Sequence, residues 1–276
     1  MTPEAVAATL QALRTRTPLV HSITNLVVTN STANALLAIG ASPAMVEAVE
    51  EAGEFAAVAD ALVINLGTMS AARAAAMKLA AAAAREAGTP WILDPVAVGA
   101  IGYRSAVAVE LLALRPQVVR GNASEILALA RLAGAMAEDG GGRGGGRGVD
   151  SVAEAGEALA AAERLARSSG SVVVVSGATD YATDGSRQVA IRNGHPMMPR
   201  VTGLGCTATA IIGACLAVEA DPLAAAAHGM VMIGLAGEIA GEQAHGPGSL
   251  QVALLDVLYA LDTQTILAKA RLDPSV

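Results

Sequence analysis

Short runs of Val, Ile and Leu alternate with long Ala-rich stretches through the first two thirds of the chain. The runs at 19–24, 61–66, 91–93, 117–120 and 171–176 lack strict polar–apolar alternation, which predicts strands buried on both faces. The intervening stretches carry helix punctuation. Ser70 is an N-cap candidate and Gly88 a C-terminal stop, and Ser151 with Glu154 has capping-box spacing. Strand, helix, strand at this spacing predicts βαβ units and a mainly parallel sheet between helices. Over 181–193 the Asp184-Gly185 turn between two short β-like runs predicts a hairpin. From Gly205 onward the chain reads as almost entirely helical. The whole, 1–276, is expected to form one α/β domain. Its one low-complexity segment, GGGRGGGRG at 140–148, follows no strand and lacks the Lys-Ser/Thr end of a phosphate-binding loop, so it reads as a flexible surface insertion.

Every predicted strand ends in polar residues or glycine: Ser22, Thr24 and Asn25; Asn65, Gly67 and Thr68; Asp94; Arg120, Gly121 and Asn122; Ser176, Gly177 and Thr179. Ligands of open parallel sheets bind beyond the carboxyl ends of the strands, so a common site is expected along that edge, although turn chemistry alone also favours Asn, Asp and Gly there. The sharpest feature is Val201-Thr202-Gly203-Leu204-Gly205-Cys206, followed by an apolar helical run. Two glycines ahead of a helix let backbone amides face outward, and the helix terminus adds partial positive charge, an anion hole for a phosphoryl group. The alternative is a glycine bend that serves close packing.

Composition narrows the classes. With 53% apolar and 16% charged residues the chain is not disordered. The mean hydropathy of +0.50 raises the question of membrane spans. The uncharged stretches 201–218 and 222–237 are rich in Ala and Gly and bounded by Glu219, Asp221 and Glu238, so they read as buried core helices. The first ten residues contain Glu4 and no basic run, unlike a signal peptide. A net charge of −7 with scattered basic residues argues against a nucleic-acid groove. Only five aromatics exist, so a bound adenine is expected to rest mainly on aliphatic walls. On one helix, Cys206 and Cys215 would lie about 13 Å apart along its axis and on opposite faces, too far for a disulfide. Free thiols point to a reducing compartment, the cytoplasm.

Two readings stand for most of the candidate residues. Cys206, in the first helical turn, is either a thiol with a lowered pKa that accepts a substrate proton or a small core residue. Asp94, held in extended chain by Pro95, is a Mg²⁺ ligand or a turn former. Asn122 and Glu125 form a capping box or organise metal-bound water. Arg120 follows a buried strand, where a phosphate would satisfy its guanidinium. His228 lies in an apolar helix and reads as a core histidine, and His21, although near the proposed site, is assigned no chemistry.

The segments HSITNLVVTNSTANALLAIGASPAM, LVINLGT, WILDPVAVGA, RGNASEI, VVVSGATDYATDG and VTGLGCTATA together resemble the hydroxyethylthiazole kinase family of the ribokinase-like superfamily, over about residues 18–262. The resemblance implies a three-layer sandwich with a central sheet, Mg²⁺-ATP as phosphoryl donor and 4-methyl-5-(2-hydroxyethyl)thiazole as acceptor, in thiamine salvage. By the same resemblance Asn25, Met45 and Gly203 contact the thiazole, Arg120 and Ser176 bind ATP, Asp94 and Glu125 lie near the metal, and Gly203, Gly205 and Cys206 form the catalytic bend. It also implies a homotrimer with sites between neighbouring subunits. The related alternatives are another ribokinase-like kinase, for hydroxymethylpyrimidine or pyridoxal, an ATP-dependent dehydratase of hydrated nicotinamide nucleotides, and, in a different class, a non-catalytic nucleotide sensor.

Overall fold

The computed structural model describes residues 1–136 and 151–275. The glycine-rich segment 140–148 and the Ser151–Glu154 side-chain pair lie outside what is described. The β-prone runs become β1 (Leu19–Ile23), β3 (Ala61–Asn65), β4 (Trp91–Asp94), β5 (Val118–Asn122) and β6 (Val172–Ser176). The hairpin is β7 (Asp180–Thr183) and β8 (Gln188–Ile191). Two short edge strands lack a sequence signature: β2 (Ser42–Ala44), which contains Pro43, and β9 (Leu272–Ser275), which contains Pro274. Proline is tolerated there because an edge strand need not donate every amide.

Among the described residues the strands form one sheet of nine, in the order β2-β1-β3-β4-β5-β6-β7-β8-β9. Pairing is parallel from β2 to β6 and antiparallel from β6 to β9. One face carries α1 (Pro3–Arg16), α2 (Thr29–Ile39), α8 (Leu204–Leu216), α9 (Pro222–Gln243), α10 (Pro247–Ala260) and α11 (Thr263–Lys269). The other carries α3 (Ala52–Val58), α4 (Ala71–Ala87), α5 (Gly102–Leu112), α6 (Ala123–Leu132) and α7 (Ser151–Ser169). Helix α4 starts and stops as its sequence predicts: the Ser70 hydroxyl accepts from the Arg73 amide, and Gly88 ends the helix at φ 77°.

Side-chain alternation divides the strands between two cores. Val63, Ile92, Val118 and Val174 pack on the α8 face, whereas Ile64, Leu93, Val119 and Val175 pack on the α4–α7 face. Trp91 opens β4 within this second core and is 1% exposed. Helix α9 is long and apolar enough to cross a membrane, but 89% of its apolar stretch is buried inside the protein, as a core helix would be. His228 on α9 meets the Thr9 hydroxyl of α1 through Nδ1 at 2.8 Å, and burial pulls its pKa down to about 4, so it is the core histidine the sequence suggested.

Arg14 of α1 ties the helical layer together. Its guanidinium donates to the carbonyls of Leu258, Tyr259 and Leu261 at the end of α10, at 3.0, 2.8 and 2.7 Å. A cation there meets the negative end of the helix dipole as well as orphan carbonyls. Arg14→Ala is expected to lower the unfolding free energy by about 2 kcal/mol, read by denaturant titration, with turnover unchanged.

Candidate active site

The alternation that builds the core also builds the site. Two residues beyond Val63, Ile92, Val118 and Val174 stand Asn65, Asp94, Arg120 and Ser176, on the same face and at the carboxyl ends of four adjacent strands. The β3–β4 register sets Asn65 beside Asp94, and the Asn65 amide donates to Asp94 Oδ2 at 2.7 Å.

Helix α8 descends onto this rim. Its N-cap, Gly203, holds the left-handed conformation at φ 79°, and a Cβ there would come within 2.1 Å of Val28. A Cβ on Gly205 would lie 2.7 Å from Arg120 Nη1, so the guanidinium rests directly on the first turn. Farther along, a Cβ on Gly213 would meet Val63 at 2.5 Å, which shows how closely the helix approaches the sheet. Gly203 has no capping side chain, and the amides of the first turn have no intrahelical acceptors.

Cys206 is the third residue of α8. Its sulfur accepts from Asn25 Nδ2 at 3.4 Å, and the same nitrogen donates to Asn65 Oδ1 at 2.9 Å. Thr209, one turn on, donates to Asp94 Oδ2 at 2.9 Å. A continuous chain of hydrogen bonds therefore runs from Cys206 through Asn25 and Asn65 to Asp94 and back to α8. Sequence reading identified Cys206, Asn25 and Asp94. It placed Asn65 on the rim without a role and missed Thr209, whose only signal is its position one turn beyond Cys206 in GCTAT.

One expectation is reversed. The helix terminus was to lower the Cys206 pKa, but burial, followed by the neighbouring Asp94 carboxylate, pushes it up to about 11 against the Asn65 and Asn25 amides and the Arg120 charge. Cys206 is a neutral thiol near pH 7. Asp94 is fully buried and pushed up to about 6 by that burial, with Glu125 adding repulsion and Arg120, Thr209 and Asn65 opposing it.

Glu125 forms the capping box: its Oε2 accepts from the Asn122 amide and Asn122 Oδ1 from the Glu125 amide, both at 2.9 Å. Its Oε1 also accepts from the amide of Ala97, a left-handed residue at φ 61°, so the same carboxylate pins the loop that follows Asp94. Arg120 makes no ion pair among the described residues, and its Nε is buried without a partner. Ser176 donates to the Gly121 carbonyl at 3.3 Å. Asp180, also missed from sequence, accepts from the Gly177 amide at 2.9 Å, and burial raises it to about 6 although Arg120 pulls the other way. Met45 follows β2 on the same rim, half-buried and outside the hydrogen-bonded chain. Both cysteines are free, as expected.

The residues fit a magnesium–nucleotide better than a bare metal. Among the described residues no group of three or more His, Cys, Asp or Glu could hold an ion. Among the described residues Asp94 Oδ1 has no hydrogen-bond partner, and its repulsion with Glu125 favours a nearby cation. Mg²⁺ commonly takes one or two carboxylates and draws its other ligands from phosphates and water.

Two outcomes follow from the buried charges. Alkylation of Cys206 is expected to climb about tenfold per pH unit from roughly pH 8 to pH 10, where an ordinary thiol would level off near 9. Mass spectrometry of the modified peptide checks this, and levelling near 9 would contradict the burial argument. Asp94 has its folded-state pKa raised above the unfolded 3.8, so its contribution to stability is full below that value and is lost as pH rises through about 6. Asp94→Asn without nucleotide is therefore expected to melt higher than the parent protein at about pH 7.5, the gain vanishing below about pH 4.

The profile of the Hydroxyethylthiazole kinase family matches residues 10–264. The chain is 63% identical over 262 residues to a hydroxyethylthiazole kinase of Granulibacter bethesdensis, covering 95% of this chain and 92% of that one. It is 52% identical to one of Cereibacter sphaeroides, covering 96% and 97%. The solved structure of the hydroxyethylthiazole kinase protein from Pyrococcus horikoshii superposes with a TM-score of 0.89 at 40% identity, covering 99% of this chain and 100% of that one. A pyridoxal kinase from Staphylococcus aureus in complex with AMP-PCP matches at TM-score 0.56 and 15% identity over 80% and 87% of the two chains, a likeness of fold alone. With its strand-end polar residues gathered under one glycine-led helix and nearly all of its length aligned to these relatives, the chain belongs to the hydroxyethylthiazole kinase family.

Proposed function

We propose that this single-domain protein transfers the γ-phosphoryl of ATP to the hydroxyl of 4-methyl-5-(2-hydroxyethyl)thiazole, in thiamine salvage. The observation that carries the reading is Arg120. A half-buried guanidinium pressed against the positive end of α8, with a buried and unpartnered Nε and only the raised carboxyls of Asp94 and Asp180 near it, favours a further anion. A polyphosphate supplies that anion.

In this reading Arg120 and Ser176 bind ATP, and the first-turn amides of Gly205 and Cys206 face the transferring group. Asp94 and Glu125 would hold Mg²⁺, which neutralises phosphate charge when bound. Asn25, Met45 and Gly203 face the thiazole alcohol. Phosphoryl transfer depends mainly on positioning and electrostatics; an arginine contact is worth roughly 10³–10⁵ in rate in some systems, and a general base about 10²–10⁴. A neutral Cys206 that accepts a hydrogen bond from Asn25 is poised to orient the hydroxyl, whose proton passes late to an oxygen of the transferred phosphoryl group. The exposed Leu26 and Val27, 67% and 63% accessible beside Asn25, support a homotrimer with each site between neighbouring subunits. A cytoplasmic location completes the reading, in keeping with the free thiols.

Steady-state ADP release with the thiazole alcohol and Mg²⁺-ATP tests the assignment, with hydroxymethylpyrimidine and pyridoxal as competing acceptors. Cys206→Ala is expected to keep measurable turnover and Asp94→Ala to lose more. The reverse order would defeat these roles, and preference for another alcohol would defeat the substrate.

A further inference from the structure

Arg73 is 7% exposed and sits in the first turn of α4. A cation there meets the positive end of the helix dipole, and burial strips it of water. Its Nε is buried without a partner. As an element of α4 alone, this arrangement is unfavourable on each count. What accounts for it is the pair of segments that the guanidinium joins. Nη2 donates to the carbonyl of Thr24, the residue before Asn25, and Nη1 pairs with Glu47, two residues beyond Met45.

These two segments have few other ties. Strand β2 is three residues long, and its ladder ends with Ala44 opposite His21. Beyond it, the Val46 carbonyl accepts from His21 Nε2 at 2.7 Å. On the β1 side, the Leu26 amide is held by the Thr68 hydroxyl at 2.9 Å, and Asn25 reaches Asn65 and Cys206. Together with the His21–Val46 contact, Arg73 joins the Thr24 end of this hydrogen-bonded chain to the Met45–Glu47 wall.

We infer that Arg73 is a positioning residue: its guanidinium clamps the Thr24–Asn25 and Met45–Glu47 segments together and so fixes the width of the acceptor pocket. The inference rests on the reading above, in which Asn25 and Met45 face the acceptor. Arg73 lies on the α4 side of the sheet, opposite the face that carries Asn65, Asp94, Arg120 and Ser176. Its loss is a loss of acceptor placement, where an error of about 1 Å can cost 10²-fold in rate.

The test compares the full-length protein with Arg73→Gln, Arg73→Lys and Glu47→Gln, by amide hydrogen exchange over 24–28 and 45–49 and by steady-state kinetics with each substrate varied. Arg73→Gln is expected to speed exchange in both segments and raise KM for the alcohol about tenfold while KM for ATP stays level. Arg73→Lys, which can hold one partner at a time, is expected to recover part of the loss. Glu47→Gln, altered at the half-exposed end of the pair, is expected to loosen 45–49 alone, and it serves where Arg73→Gln fails to fold. Unchanged exchange at 45–49 in both Arg73→Gln and Glu47→Gln overturns the clamp whatever acceptor is used. A rise in both KM values together, with a lowered Tm, overturns it in favour of a general structural role. If the parent protein does not phosphorylate the thiazole alcohol, the proposed function fails, and hydrogen exchange alone then decides the clamp.

Discussion

The close seating of helix α8 on the sheet is the constraint from which the site follows. Three of its positions lack room for a methyl group: Gly203 against Val28, Gly205 against Arg120 and Gly213 against Val63. A side chain at Gly213 would lift the helix off β3, and one at Gly203 would drive its start away from the head of α2. Its first-turn amides would then leave the carboxyl rim, and Thr209 would lose Asp94. The positive φ at Gly203 turns the chain sharply enough for those amides to face the strand ends.

The seating also sets the electrostatics. A helix terminus favours a nearby anion by about 0.3–1 kcal/mol when exposed, less than one pKa unit, which is worth 1.36 kcal/mol. Burial beneath the helix acts more strongly in the other direction, and it raises the Cys206 thiol from 9.0 to about 11. The same dry setting raises Asp94 and Asp180, with the Arg120 charge opposing both shifts. Close seating thus keeps the sulfur at the head of α8 neutral.

Much of this was legible in the chain. LVIN, WILD, VVR and VVVS each place a polar residue two positions after a β-branched core residue, and that spacing alone sets four side chains on one face of the sheet. The glycine bend and the Asn122–Glu125 box were readable for similar local reasons. Contacts made across long sequence separation were not. Thr209 meets Asp94 over 115 positions, Arg73 meets Thr24 over 49, and nothing local in either segment announces the other. The edge strands β2 and β9 were hidden because both contain proline and take their conformation from the neighbour they join. The Cys206 environment was misjudged because the cost of burial depends on what covers the sulfur, which a window of sequence does not reveal.

Trp91, the chain's single indole, stands at the amino end of β4 and faces the α4–α7 layer, whereas Asp94 closes the same strand on the opposite face. Three residues of strand, about 10 Å, and the thickness of the sheet separate it from Asp94. Its emission therefore monitors the packing of one half of the sandwich. It stays silent to events on the other, so that melting and occupancy are reported by physically separate signals.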